Sequence, residues 1–183
     1  MKDINERLRD AARDGSETVL KSLLRNPGCD ALSKDEQGWT ALMHAARGGH
    51  EAGLRILLPV SDALGKDVNG QTALMQSAAR GHEAGLRILL PVSDALAKDN
   101  GGWTALMYAA GNGNEACVRL LMLGSDACAK DRNGMTASKL AKDEGYESLG
   151  CFIDAYVMAQ NERVAIKAAV LSKSPCGRSS LRV

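Results

Sequence analysis

The sequence is poor in aromatic residues and in proline. Its 183 residues include one phenylalanine, two tryptophans, three tyrosines and four prolines. A chain of this length is long enough for one domain with a sizeable core. Because 45% of the residues are hydrophobic and so few are aromatic, the core is predicted to be aliphatic.

The chain also lacks an excess of charge of one sign. Its 23 basic and 22 acidic residues give a formal net charge of +1. Proteins that are drawn to nucleic acids or to anionic membranes usually carry a basic surplus. A nucleic acid and a membrane surface are therefore not expected as partners.

Long apolar runs are missing as well. No stretch reaches the roughly 18 apolar residues of a transmembrane helix. The start, Met1 to Arg7, is polar where a secretory signal peptide would turn apolar. A cytoplasmic location is the expectation, with export by a route that needs no such signal peptide as the alternative.

Motifs for metal binding and catalysis are absent from the sequence. The cysteines form no Cys-x-x-Cys pair, none lies at zinc spacing from a histidine, and reduced, mostly buried thiols are expected: Cys29, Cys117, Cys128, Cys151 and Cys176. There is no phosphate loop, nucleophile elbow or His-Glu-x-x-His sequence. Neither a metal site, a cofactor nor an enzymatic activity is predicted.

What the chain does have is an internal repeat. Four short boxes follow one another at a spacing of 32 residues: Gly38 to Met43, Gly70 to Met75, Gly102 to Met107 and Gly134 to Lys139. The segments from His50 to Asp67 and from His82 to Asp99 are identical except that Gly65 is replaced by Ala97. A period that extends over the whole unit indicates a repeat array.

The residues of one unit predict a turn followed by two short helices. Asp67 opens and Gly70 closes a four-residue turn. Thr72 follows as the N-cap of a first helix, which a left-handed Gly81 then ends. A second helix places leucines such as Leu86 and Leu89 on one side. Each unit is therefore a helix pair with a turn at its tip.

A turn followed by two antiparallel helices, with Thr-x-Leu near the start and Gly-His in the middle, resembles the ankyrin repeat. The resemblance covers roughly residues 5–154. It implies an all-α fold, an ankyrin-repeat solenoid of about five helix-turn-helix units with β-turn tips, plus an additional C-terminal helix. The predicted parts are an N-terminal cap unit at 5–33, full units at 34–65, 66–97 and 98–129, and a C-terminal unit at 130–154.

One departure from the family pattern concerns contacts between units. The usual Thr-Pro-Leu-His is here Thr-Ala-Leu-Met, so the hydrogen bonds of the missing histidine are expected to be lost. Buried Met43, Met75 and Met107 are expected to offset that loss by filling gaps. His50 and His82 occupy the Gly-His position of the repeat, where a hydrogen bond at the start of the second helix is expected.

Beyond the array, apolar residues recur at helical spacing up to Leu171 and predict the additional helix over 155–171. This helix either covers the apolar end of the last unit or serves as a lid or self-association helix. The remaining residues, 172–183, are basic and rich in serine, and are predicted to be a disordered tail.

The resemblance implies that a partner binds along a concave face made of the turn tips and first helices. Turn positions vary between the units of this chain, whereas second-helix positions such as Arg55 and Arg87 repeat. The residues expected to contact the partner are Trp39, His44, Arg47, Gln71, Gln76, Arg80, Trp103, Tyr108, Asn112 and Met135. The two tryptophans are either binding anchors or scaffold residues that stack on a neighbouring turn.

Four lysines recur at the repeat period and resemble a basic ladder for a polyanion: Lys34, Lys66, Lys98 and Lys130. An aspartate follows each of them directly, so the ladder is largely neutralised. We interpret it as a feature of the repeat itself.

The function expected from these patterns is that of a protein-protein interaction module, such as an adaptor or scaffold, that is monomeric on its own. Two alternatives use the same surface. In the first alternative the protein is an inhibitor or immunity protein of a partner enzyme. In the second it is a microbial effector delivered into host cells, with its basic tail as an export signal.

Overall fold

A computed structural model describes residues 2–172, and within them the side chains of residues 2–164. In this part of the chain there are ten α-helices and no β-strand. The helices are α1 (Ile4–Arg13), α2 (Glu17–Leu24), α3 (Ala41–Gly48), α4 (Glu51–Leu57), α5 (Ala73–Arg80), α6 (Glu83–Leu89), α7 (Ala105–Gly111), α8 (Glu115–Leu121), α9 (Ala137–Asp143) and α10 (Glu147–Ser172). Short 3-10 turns at Leu58–Val60 and Leu90–Val92 follow α4 and α6.

The helices stack in two layers. In the first layer α1, α3, α5, α7 and α9 each pack against the next, and in the second layer α2, α4, α6 and α8 do the same. Each helix of one layer also packs against the helix that follows it in the chain. The result is a solenoid of five helix pairs, which confirms the predicted all-α fold.

The predicted helix boundaries rest on the threonines and glycines of the repeat. Thr40 Oγ1 accepts a hydrogen bond from the backbone N–H of Met43 at 3.4 Å, and Thr72 does the same in the next unit. Gly49 and Gly81 end α3 and α5 with φ angles of 71° and 74°. These left-handed conformations suit glycine, because a Cβ atom would strain the backbone there.

The core is aliphatic and follows the repeat. Leucine, alanine and methionine side chains from both layers form one continuous buried cluster along the array. Met43, Met75 and Met107 are at most 2% exposed, as predicted for residues that fill the space between units. Stability therefore comes mainly from apolar burial within and between neighbouring units.

Histidines tie the first two full units to the unit before each of them. The Nε2 atom of His50 donates to the carbonyl oxygen of Arg13 at 2.8 Å, and that of His82 donates to the carbonyl oxygen of Arg47 at 2.9 Å. Neither side chain caps its own helix, so the prediction of a hydrogen bond at the start of the second helix was wrong. These histidines supply hydrogen bonds between units. The bonds that the altered Thr-Ala-Leu-Met box was expected to lose are different ones.

The lysine ladder ties each unit to the one after it. Lys34 Nζ donates to the carbonyl oxygen of Lys66 at 2.7 Å, Lys66 to that of Lys98 at 2.9 Å, and Lys98 to that of Lys130 at 2.8 Å. The ammonium groups thus satisfy backbone acceptors of the neighbouring unit. The interpretation of the ladder as a feature of the repeat is confirmed.

The last unit ends in a long helix. Residues 155–171, predicted as an additional helix, are helical and continue α10 without a break from Glu147 to Ser172. Ile153 is buried, and the hydroxyl of Tyr156 donates to the carbonyl oxygen of Met122 at 3.1 Å. From Met158 to Val164 the side chains are exposed, so this stretch of α10 does not cover the array. The predicted disordered tail lies, from residue 173 onward, outside the described residues.

Candidate partner-binding groove

The turn tips fix the residues that enter the first helices. Asp35 Oδ1 accepts hydrogen bonds from the backbone N–H groups of Gln37 at 3.1 Å and Trp39 at 2.8 Å. Gly38 has a φ of 78°, and a Cβ atom on it would lie 2.9 Å from the backbone nitrogen of Val68 in the next tip. Neighbouring tips therefore pack closely, and each holds the residue before its threonine cap in a defined place.

In the N-terminal half of the groove, an indole lies beside an imidazole and under a guanidinium. The rings of Trp39 and His44 have centroids 5.1 Å apart and are tilted by 46°. The guanidinium carbon of Arg47 lies 5.3 Å from the centre of the Trp39 ring. Both contacts have favourable geometry for an aromatic pair and a cation-π pair.

His44 is held by the tip of its own unit. Its Nε2 atom lies 3.1 Å from Asp35 Oδ2. Burial lowers the pKa of His44, and this effect outweighs the opposite influence of Asp35. Burial alone would raise the pKa of Asp35, but hydrogen bonds from the Trp39 backbone and from His44 hold it below its usual range. The pair therefore contains a carboxylate and, near neutral pH, an uncharged imidazole.

An open cleft of about 760 Å³ lies over this half of the groove, and we call it the N-terminal cleft. It is lined by Arg13, Asp35, Gln37, Trp39, His44, Arg47, Gly48, Arg80 and His82. Three of these residues are arginines at the ends of α1, α3 and α5, whereas one is a carboxylate. The cleft spans three consecutive units and carries net positive charge.

The C-terminal half contains a similar aromatic pair whose polar atoms are used internally. Trp103 and Tyr108 have ring centroids 5.1 Å apart. Trp103 Nε1 donates to Asp131 Oδ2 at 3.1 Å, and the hydroxyl of Tyr108 donates to Asp99 Oδ2 at 2.6 Å. Burial, followed by the Asp99 carboxylate, raises the pKa of Tyr108. At the position that corresponds to Arg47 stands Gly111, close to the Trp103 ring.

A polar chain joins the two halves in the middle unit. Gln76 Nε2 donates to Gln71 Oε1 at 2.6 Å, and Gln71 Nε2 donates to the Tyr108 hydroxyl at 2.5 Å. Gln76 is only 5% exposed, so it holds the Gln71 side chain by this hydrogen bond and offers little surface to a partner. Asp67 Oδ2 is buried nearby in the same unit and has no hydrogen-bond partner among the described residues.

The structure brings together the predicted residues Trp39, His44, Arg47 and Arg80 in one cleft. The other predicted residues lie elsewhere: Trp103 and Tyr108 pair with each other, Gln71 and Gln76 form the polar chain, Asn112 bonds the Tyr108 carbonyl, and Met135 is half-buried against the core. Neither tryptophan is fully exposed. The prediction of partner contact by these ten residues stays a prediction.

Arg47 and Arg80 do not occupy equivalent positions of their units. The helix bounds align Arg47 with Ala79 and Arg80 with Gly48. Both nevertheless line the N-terminal cleft.

The sequence reasoning also missed Arg13. Its carbonyl accepts from His50 as the Arg47 carbonyl does from His82. The alignment of Gly15 with Gly49, at a spacing of 34 instead of 32, would have revealed it.

The described residues contain no group of three or more histidine, cysteine or acidic residues placed to hold a metal ion. None of the helices in this part of the chain combines the length and the apolarity that a bilayer crossing requires.

Comparison with known proteins agrees with the geometry of the array. A family model described as ankyrin repeats in three copies matches residues 8–99 and again residues 85–153. A search among curated proteins finds no match. The two matched segments together span most of the chain and all five helix pairs. Repeat length, turn chemistry, helix pairing and family match agree, and the chain belongs to the ankyrin-repeat family.

Proposed function

We propose that this protein binds a partner protein along the groove formed by its turn tips and first helices. Ankyrin repeats are generally protein-protein interaction modules. The observation that carries the proposal is the N-terminal cleft, where Trp39 lies next to Arg47 and Arg80 on an open surface. Tryptophan and arginine are the residues on which interface affinity most often depends.

The open shape of the cleft favours a macromolecule. Its lining comes from three units, and it is open to solvent over its length. Ligand pockets for small molecules are usually enclosed and bury most of the ligand surface. An extended segment or a loop of a protein fills such an open, elongated cleft better than a metabolite does.

The opposite face of the array offers less for recognition. Charged residues of the second helices pair within their own helix, as in Glu83 with Arg87 at 2.8 Å. The same pair recurs as Glu115 with Arg119. A surface that repeats the same neutralised pair presents little that is specific to one partner.

The experiment is a capture from lysate of the source cells, followed by mass spectrometry, with three forms of the protein. These are the native chain, Trp39→Ala/Trp103→Ala, and Arg55→Ala/Arg87→Ala as the matched control on the second helices. We expect one protein to be retained by the native chain and by the control, and to be lost with the tryptophan variant. Circular dichroism must show that all three forms are folded.

A partner that all three forms retain would place binding outside the groove and contradict the proposal. If the captured partner is an enzyme, its activity with and without the native chain shows whether the protein acts as its inhibitor. Light scattering on the purified chain tests the expectation that it is a monomer on its own.

A further inference from the structure

The charge of the groove changes from one end to the other. At the ends of the first helices, the column that begins with Arg13 and Arg47 continues as Ala79, Gly111 and Asp143. The neighbouring column runs from Gly48 through Arg80 and Asn112 to Glu144. At these two columns of positions, the groove is basic at its N-terminal end and acidic at its C-terminal end.

Two of the three arginines at the basic end are not neutralised. Arg13 pairs with Asp10 at 3.0 Å. Among residues 2–164, neither Arg47 nor Arg80 has a carboxylate within 4.0 Å. The one carboxylate that lines the cleft, Asp35, already accepts hydrogen bonds from its own tip and from His44.

Both of these arginines line the N-terminal cleft, and both are exposed. Partial burial, followed by the charge of Arg80, lowers the pKa of Arg47. Like charges held together without a counter-charge attract an anionic group, and a guanidinium pairs with a carboxylate through two parallel hydrogen bonds. The Trp39 ring lies beside them and offers an apolar surface.

We infer that the N-terminal cleft takes an acidic, extended segment of the partner protein, with carboxylates on Arg47 and Arg80 and an apolar side chain against Trp39. This inference rests on the proposed function and names the chemistry of the partner. The acidic part of the segment lies at the N-terminal end of the groove, because Asp143 and Glu144 at the far end would repel it.

A long polyanion fits this groove less well than a short acidic segment does. A nucleic acid that followed the groove would meet Asp143 and Glu144, both of which are exposed. The lysines of the ladder add little net positive charge, since an aspartate follows each of them directly. At the ends of the first helices, the arginines without a carboxylate partner lie toward the N-terminal end and match a few carboxylates.

The test begins with random 12-residue peptides displayed on phage and selected on the purified native chain. We expect the selected peptides to carry several aspartates or glutamates close to one apolar residue. The strongest peptide is then synthesised with a fluorescent label, together with a version in which lysine replaces each acidic residue. Fluorescence anisotropy measures their affinity for the native chain and its variants.

Three variants are compared for their affinity toward the acidic peptide. Arg47→Ala/Arg80→Ala is expected to weaken binding of the acidic peptide about tenfold or more, because two charge-assisted contacts are lost. Arg55→Ala/Arg87→Ala removes the same charge from the second helices and is expected to leave the affinity unchanged. Trp39→Ala is also expected to weaken binding of the peptide, because the apolar side chain of the peptide loses the ring that it contacts.

The outcomes separate the two proposals. Peptides that lose affinity with Trp39→Ala but not with Arg47→Ala/Arg80→Ala would overturn the acidic-segment inference and leave groove binding standing. Peptides that are insensitive to both variants, or a selection that yields no peptide, would count against groove binding itself. Displacement of the acidic peptide by an equal concentration of a single-stranded oligonucleotide would also overturn the inference, because a general polyanion site would then be present.

Discussion

The two halves of the groove contain the same aromatic pair and use it differently. Trp39 with His44 and Trp103 with Tyr108 stand at the same places of their units, and the ring centroids are 5.1 Å apart in both. In the C-terminal half the indole N–H is bound by the next unit's aspartate. In the N-terminal half a guanidinium lies over the ring and the cleft remains open.

The difference shows how one scaffold produces both a structural contact and a candidate binding site. The units differ two turns after the tryptophan, with Arg47 in one unit and Gly111 in the other. Glycine leaves the Trp103 ring close to the helix, whereas arginine brings an unpaired charge to the surface. The backbone is the same, so recognition depends on a few variable positions.

The comparison assumes that both halves rest on equivalent cores. Leu57 and Leu121 are fully buried in the second helices of the first and third full units. We expect Leu57→Ala and Leu121→Ala each to lower the free energy of unfolding by about 2–5 kcal/mol through the cavities they leave. Urea denaturation measures both. An effect on one variant but not on the other would mean that the halves differ in their cores as well as in the groove.

The C-terminal half is expected to depend on its internal hydrogen bonds. Tyr108→Phe removes the hydroxyl that donates to Asp99 and accepts from Gln71, and should cost about 1–3 kcal/mol of stability. Tyr146→Phe, at an exposed tyrosine, is the control and should have little effect. Equal urea midpoints for native protein and Tyr108→Phe would contradict a structural role for this pair.

The two halves should become more alike when Gly111 is replaced by arginine. A Cβ atom at this position would lie 3.8 Å from the nearest Trp103 atom, which is an ordinary contact. Gly111→Arg and Gly111→Ala should both stabilise the protein, by up to about 1 kcal/mol, because glycine is unfavourable in a helix. Only the arginine variant should bind the acidic peptide more tightly than the native chain. Equal affinity of the two variants would show that charge at this column does not govern recognition.

The smallest expected effect concerns acid sensitivity of the N-terminal half. Because the folded protein lowers the pKa of His44, the unfolded chain takes up the proton more readily. Stability is therefore complete above the ordinary histidine pKa of about 6.5 and declines as the pH falls below it. His44→Gln should remove part of this decline, as measured by Tm between about pH 7.5 and about pH 5.5. The same slope in both proteins would show that another group is responsible.

Much of the fold follows from residues whose role is local. Thr40, Gly49 and the 32-residue period predict where helices begin and end, since caps and left-handed glycines act within a few residues. The aliphatic core follows from the leucine and methionine columns. The unbroken length of α10 was not predicted, because residues 130–154 were assigned to the last repeat unit and residues 155–171 to a separate helix.

The candidate site was less predictable because it depends on contacts between units. Gln76 stands in the same column as His44 and Tyr108, yet it is buried, because Gln71 reaches over it toward the next unit. Arg13 belongs to the degenerate first unit. Its distance of 34 residues to the equivalent position of the next unit, instead of 32, hides the correspondence between Arg13 and Arg47. Alignment of the repeat units with one another finds which positions vary. The direction of each side chain, however, depends on its neighbours in the adjacent unit.

The lysine ladder makes one contact the same at the joints that follow the full units. Lys34 and Lys66 each reach the equivalent backbone oxygen of the following unit, so this contact recurs at the joint between 34–65 and 66–97 and at the joint between 66–97 and 98–129. Removal of residues 66–97 would bring Lys34 to the carbonyl of Lys98 by the same contact. The length of this array can thus change by whole units while the ladder contact is kept, and the order of residues along the groove is rewritten.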